Sequence, residues 1–368
     1  MHLSDLSFIN FKNYREANFE FLPGVNCFTG HNGAGKTNIL DAIHYLCLCK
    51  SFFNPVDSQS IFHDEPFFVI QGNFEVEQEL QNVYCGFKKN HKKQFKRNQK
   101  EYQRLADHIG IYPLVMISPS DHQLILDGSE ERRRFIDAAI SQVDNHYLDD
   151  LIYYNKVLLN RNALLKKMNE NPQYDEGVLV VFNEQLAEYA EKIYAKRRQF
   201  IDEFIPLFNE LYQSISSGME EVSISYESQL NDHAILELLN KNSRKDIITQ
   251  RSNYGTHKDD LEFKLGEHPL KKFGSQGQQK SYLIALKLAH YSYLQLKKGY
   301  KPLLLLDDIF DKLDDQRIKK LLAMVSNDAF GQIFITDTDA NRVENIFQEI
   351  GVDVRIFEIE KGSIIQSR

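Results

Sequence analysis

The 368-residue sequence predicts an α/β fold built around a parallel sheet and interrupted by an inserted helical lobe. Three observations carry this prediction. Gly30-His31-Asn32-Gly33-Ala34-Gly35-Lys36-Thr37 is a complete G-x-x-x-x-G-K-T loop near one end of the chain. Leu303-Leu304-Leu305-Leu306-Asp307-Asp308, near the other end, is an apolar strand closed by two carboxylates, inside a strand–helix alternation of the kind parallel sheets require. Between them, apolar residues from Ser129 to Tyr212 recur at helical spacing.

Leu6, Phe8, Phe11, Phe19 and Phe21 alternate with polar residues, as in a strand pair. Pro23-Gly24 then turns the chain into Val25–Thr29, a short buried strand by its β-rich content. The glycine loop follows, and Ile39, Ala42, Ile43 and Leu46 mark a helix over Asn38–Lys50. Strand, glycine loop, helix is the context a phosphate-binding loop needs. Residues from Phe67 to about Ile117 read as further strands. Ser129-Glu130-Glu131 starts a helical run that continues through Leu158 and breaks at Asn169–Pro172. A second run extends from about Val178 to Tyr212, with Pro206 an expected end or kink. The pair lacks the sustained heptads of a long coiled coil and reads either as a packed helical arm or as a plain helical subdomain with no mechanical role.

Beyond the arm come a strand at Val222–Tyr226, a helix over Asp232–Gln250 and a strand through Phe263. The closing series is a helix after Ser275, strand Leu303–Leu306, helix Arg317–Val325, strand Ile333–Ile335, helix Arg342–Ile350 and a last strand. The expected division is a head over 1–125 and 250–368, carrying the glycine loop and the acidic strand, and a helical arm over 126–249.

Apolar content of 42% and charged content of 26% are those of an ordinary globular protein. No apolar run approaches the about 18 residues of a membrane span, and Met1–Asp5 has neither the basic start nor the apolar core of a signal peptide. Cys27, Cys47, Cys49 and Cys85 form no C-x-x-C pair, so reduced thiols and a cytoplasmic setting are expected. A net charge of −8 argues against a surface that coats nucleic acid generally. Yet Lys88, Lys89, Lys92, Lys93, Lys96, Arg97, Lys100 and Arg104 crowd one polar stretch, with Glu101 its one acid. That stretch reads either as a solvated hairpin tip or as a phosphate-binding patch, with Lys92, Lys93, Lys96 and Arg97 the candidate DNA contacts.

The glycine loop lets backbone N–H groups wrap phosphate oxygens at the positive end of the following helix, so Gly30 through Asn38 are the candidate ATP-binding residues. Lys36 is expected between the β- and γ-phosphates and the Thr37 hydroxyl on Mg²⁺. Asp307 fits as the carboxylate on Mg²⁺ and Asp308 as the group orienting the attacking water. Lys36 and Asp308 are therefore the candidate catalytic residues. Asp308 is one methylene shorter than a Glu, which fits slow turnover.

Ser275-Gln276-Gly277-Gln278 opens a helix shortly before the acidic strand, and in that position resembles the signature motif of ABC-type ATPases. There the Ser hydroxyl and helix N-terminus complete the γ-phosphate site of another subunit, so the resemblance implies an ATP-dependent homodimer with Ser275, Gly277 and Gln278 acting in trans. Phe11-Lys12-Asn13-Tyr14 ahead of the glycine loop resembles the start of SMC-type ATPases. Four further stretches resemble the RecF family closely. They are Ser118-Pro119-Ser120-Asp121, Gly128-Ser129-x-x-Arg132-Arg133-Arg134-Phe135-Ile136-Asp137, Gly255-x-His257-Lys258-Asp259-Asp260 and Asp307-Asp308-x-Phe310-x-x-Leu313-Asp314.

The resemblance implies an ABC/SMC-type ATPase head that binds ATP, dimerises on DNA and recognises double-stranded and gapped DNA at duplex–single-strand junctions. It implies action with RecR and RecO to help load RecA, and slow hydrolysis for release. Asp311, Leu313 and Asp314 match the family's D-loop, at the dimer interface. Two departures stand out: Pro119-Ser120-Asp121 replaces the family's Pro-Glu-Asp, and Thr336-Asp337-Thr338 offers no switch histidine. Arg132–Arg134 read either as a helix face paired with acidic neighbours or as phosphate or dimer contacts, and His257 as a structural or interface residue rather than a metal ligand. The alternatives from other classes are a transporter's nucleotide-binding subunit, a related nuclease, for which the chain leaves no room, and a scaffold that binds ATP without hydrolysing it.

Overall fold

The computed structural model describes residues 1–171, 176–216, 220–308 and 329–368. Its contacts divide the chain into two compact units, Met1–His122 with Leu211–Gly218 and Gln276–Arg368, and Gln123–Glu210 with Met219–Ser275. The sequence division at residue 250 differs from this, because 250–275 groups with the second unit. The reason is strand pairing: β10 (Asp260–Leu265) lies antiparallel between β9 (Val222–Glu227) and β11 (His268–Pro269).

The first unit has two sheets. One is antiparallel, in the order β2 (Tyr14–Glu20), β1 (His2–Phe11), β4 (Phe67–Val76), β5 (Glu79–Lys88), β6 (Gln94–Arg97), β7 (Lys100–Glu101). The other runs β15 (Ser363–Ser367), β14 (Val354–Glu360), β3 (Val25–Thr29), β13 (Ile333–Asp337), β12 (Leu303–Leu306), β8 (Leu114–Ile117). It is parallel throughout except for β15, an antiparallel edge strand the sequence reading did not separate. β3, β12 and β13 are buried along their whole length, as parallel strands covered on both faces must be.

Helix α1 (Lys36–Leu48) joins the two sheets through one core. Ile39, Leu40, Ile43, Tyr45 and Leu46 are all fully buried, so the helix is apolar around most of its circumference. Phe8, Phe19, Phe21, Phe28, Phe334 and Phe357 fill the space beside it, with ring centroids 4.9–6.4 Å apart. The three central strands therefore hold their carboxyl ends in register: Thr29 opposes Asp337, and Leu306 opposes Ile335.

In the second unit the helical run from Ser129 divides into α2 (Ser129–Ser141) and α3 (Asn145–Glu170). Asp144 makes the break, its carboxylate accepting the Tyr147 N–H at 3.0 Å as an N-cap. Helix α4 (Glu176–Ser216) passes through Pro206 instead of ending there. Phe200, Phe204 and Phe208, spaced four apart and buried, hold one face continuous across the proline. The helix expected over Asp232–Gln250 is two, α5 (Ile235–Lys241) and α6 (Ser243–Thr249), separated at Asn242. Helices α7 (Gln276–Lys298) and α8 (Ala340–Glu349) belong to the first unit. The helix expected at Arg317–Val325 lies outside the described residues.

Candidate nucleotide-binding site

β3 delivers the chain to the glycine loop, and α1 begins at its far end. Gly30 and Gly35 have φ of +142° and +116°, and a Cβ on Gly30 would stand 2.2 Å from the Ile359 carbonyl oxygen. A Cβ on Gly35 would stand 2.6 Å from Asn13 Nδ2. Only glycine fits either place. The loop is also tied from behind. Asn13 Nδ2 donates to the Ala34 carbonyl at 3.0 Å, the Tyr14 hydroxyl to that of Gly35 at 3.2 Å, and the Gly362 N–H to Ala34 at 2.9 Å. Asn13 Oδ1 accepts from Asn38 Nδ2 at 2.7 Å. Ala34, Gly35 and Lys36 are buried at the base, whereas His31, Asn32 and Gly33 are exposed at the mouth. Lys36 Nζ donates to the Gly30 and His31 carbonyls at 2.6 and 3.0 Å, so its charge sits inside the loop.

Asp307 reaches the loop across the sheet. The Thr37 hydroxyl donates to Asp307 Oδ1 at 2.8 Å, and Thr336, at the end of β13, donates to the same oxygen at 2.9 Å. Burial raises the Asp307 carboxyl above the usual carboxylate range, an effect the two hydroxyl donors oppose. Thr336 Oγ1 also accepts the Asp308 N–H at 2.8 Å, and Asp308 has a φ of +53°. One hydroxyl thus sets both the carboxylate of Asp307 and the backbone of Asp308. Thr336 escaped the sequence reading because a threonine at a strand end is unremarkable until its neighbour strand is known.

Asp337 follows at the place where the sequence reading found no histidine. It is buried and ion-paired with Arg342 Nη2 at 2.6 Å. In the other departure, Ser118–Asp121, the Asp121 carboxylate accepts the Ser118 N–H at 2.8 Å and pairs with Lys287 of α7 at 2.5 Å. Ser275 and Gln276 are exposed where α7 begins, with Gly277 and Gln278 half-buried in its first turn. Asp311, Leu313 and Asp314 lie outside the described residues.

The basic stretch divides. Lys92 is exposed, and Lys96 and Arg97 are half-buried on β6. Lys93 does not belong with them: its ammonium pairs with Asp57 at 2.9 Å and donates to the Tyr45 hydroxyl and the Cys49 carbonyl at 3.0 and 2.7 Å. That charge is neutralised inside the unit, which removes Lys93 from the candidate DNA contacts. Arg132 and Arg134 take the paired reading, on Asp260 and on Glu130 and Glu131. Of its two readings His257 takes the structural one within the second unit, its ring nitrogens facing the Tyr154 hydroxyl at 2.6 Å and the Ser252 carbonyl at 3.0 Å.

The residues fit a nucleoside triphosphate with its cation. Glycines stand where any side chain would collide, a lysine sits within the loop, and a hydroxyl and a carboxylate meet as hard oxygen donors of the kind Mg²⁺ takes. The family model for the RecF/RecN/SMC N-terminal domain matches residues 2–360. DNA replication and repair protein RecF of Phocaeicola vulgatus is 50% identical over 370 residues, covering 100% of this chain and 99% of the relative. The chain belongs to the RecF family of DNA replication and repair proteins. The RecF of Flavobacterium johnsoniae is 49% identical, over 98% of this chain and 100% of its own length. A solved structure described as the recombination mediator protein RecF with ATP in the RecFOR pathway superposes with a TM-score of 0.89 at 30% identity, covering 100% of this chain and 97% of that one. An Smc head domain from Pyrococcus furiosus gives a TM-score of 0.58 at 17% identity over 100% of this chain and 96% of that one, a likeness of fold alone. Family and fold are those the sequence motifs implied. Among the described residues no helix is long and apolar enough to cross a membrane.

Proposed function

We propose that the chain is an ATP-dependent DNA-binding mediator of recombinational repair, which dimerises on gapped DNA, works with RecR and RecO to help load RecA, and hydrolyses ATP slowly to reset. The observation that carries this reading is the convergence of Lys36, Thr37, Asp307 and Asp308 from opposite ends of the chain, with Thr336 fixing the last two. Thr37 and Asp307 would hold Mg²⁺, whose chemistry there is charge neutralisation on the phosphates. Lys36 adds a fixed positive charge within the loop. Asp308 orients the attacking water, and its position depends on the Thr336 hydroxyl beneath its backbone.

Ser275 supports the dimer: it stands exposed at the start of a helix of 23 residues, the position from which the resemblance has it meet a second copy's nucleotide. The family relationship, and the pairing of RecF with ATP in the RecFOR pathway, favour this reading over a transporter subunit. The non-hydrolysing scaffold is separated by phosphate release. Wild type should release phosphate faster with gapped DNA than without, Lys36→Met should lose ATP binding, and Asp308→Asn should bind ATP but release almost no phosphate. Phosphate release by Asp308→Asn at the wild-type rate would contradict the assignment.

A further inference from the structure

Two of the family stretches, at Gly128–Asp137 and Gly255–Asp260, meet in the second unit. Most of their charge is spent there. Arg132 grips Asp260 through two nitrogens at 2.6 and 2.9 Å. Arg197 of α4, buried, bridges Asp137 and Asp259, each at 2.9 Å. Arg161 and Asp246, both without solvent exposure, pair at 2.8 Å.

The segment from Arg251 to Asp260 is pinned from beneath by this network. Ser252 accepts from Arg161 at 2.7 Å, and Asn253 donates to Asp246 at 2.8 Å. Tyr254 donates to Asn242 at 3.2 Å, and His257 is held by Tyr154 and Ser252. Burial keeps that histidine neutral, its pKa lowered to about 4. Asp259 is buried on Arg197, and Asp260 is taken by Arg132. The two side chains in the segment left exposed and without an ion pair are both cations, Arg251 and Lys258. Arg133 adds a third, half-buried, its guanidinium donating only to the Asp259 backbone carbonyl at 2.7 Å. Lys258 lies below its ordinary pKa through partial burial and the repulsion of Arg251 and Arg133, which Asp246 opposes.

We propose that Arg251, Lys258 and Arg133 form a preorganised anion site on the helical arm, and that its ligand is the phosphodiester backbone of DNA. A frame that pairs Asp137, Asp246, Asp259 and Asp260 with arginines and leaves Arg251, Lys258 and Arg133 without an ion pair favours an anion, and a phosphate backbone supplies evenly spaced ones. The inference rests on the proposed DNA-binding function and adds a second contact region to the basic stretch at Lys92–Arg97.

The test is the salt dependence of binding to a fluorescein-labelled gapped duplex, using the full chain with ATP. Each lost phosphate contact lowers the slope of log affinity against log salt by about 1. Arg251→Gln and Lys258→Gln should each do so, and the double variant should lower it by about 2, whatever the DNA sequence. Lys192→Gln, an arm lysine already paired with Glu188 at 2.6 Å, should leave the slope unchanged. A double variant with the wild-type slope and affinity overturns the inference, as does an unchanged slope with loss of binding to RecR, which would assign the cations to a protein partner. Failure of wild type to bind the duplex overturns the DNA reading itself.

Discussion

Asp307 of the nucleotide site and the aspartates of the helical arm's charge network are satisfied in different ways. Asp307 is met by two hydroxyls, those of Thr37 and Thr336. Asp137, Asp246, Asp259 and Asp260 in the arm are met by arginines. A carboxylate held by neutral donors keeps its charge for a cation still to come. One matched by a guanidinium has its partner already and serves as a strut. Family motifs run through both regions, so motif membership alone does not separate the two roles; the chemistry of the partner does.

Acid should reveal the difference most strongly. His44 and His108, with pKa values lowered to about 4, and His290, lowered to about 3, lie buried in the ATPase unit; His257, also lowered to about 4, is the arm's counterpart among them. Below pH about 6.5 the unfolded chain takes up protons that these rings refuse, so the stabilisation present above that pH is lost as pH falls toward 4, by about 3 kcal/mol per histidine at full effect. Hydrogen exchange between pH 7 and 4.5 should show the ATPase unit losing protection before the arm. Simultaneous loss would break the comparison.

Next in size are single replacements of the two kinds of aspartate partner. Asp307→Asn should lower ATP hydrolysis by roughly 10²–10³-fold and change unfolding free energy by less than about 1 kcal/mol, because an amide still accepts from both hydroxyls. Arg197→Met should do the reverse, costing about 3–5 kcal/mol by leaving the buried Asp259 carboxylate and the half-buried Asp137 without their cation. Phosphate-release assays and urea titrations on both variants decide the matter. A smaller effect sharpens the role of Thr336. Thr336→Val should reduce turnover by about 10-fold, near 1.4 kcal/mol, with ATP affinity unchanged, and Thr336→Ser should restore it.

Legibility in the sequence followed the same line. The loop at Gly30–Thr37 and the carboxylates at Asp307-Asp308 are contiguous strings whose chemistry constrains every position, and the parallel sheet was readable from the uniformly apolar strands around them. Thr336 was not, because its function depends on β13 lying beside β12. The arm's charge network was not either: Arg132 and Asp260 are remote in sequence, and only folding shows that Arg132 is matched while Lys258 is not. Lys93 looked like its neighbours until Asp57 was found beneath it. The helix breaks at Asp144, an N-cap, and at Asn242 are not legible because each interrupts the backbone without interrupting the apolar spacing.

The central claim is that the site built here from two ends of one chain is half of a larger one, completed by Ser275 of a second copy. Light scattering at high protein concentration tests it directly, with ATP and Mg²⁺ added under conditions of negligible turnover. The mass should double for wild type and stay that of one chain for Lys36→Met and for Ser275→Arg. An unchanged wild-type mass with ATP demonstrably bound would contradict the account.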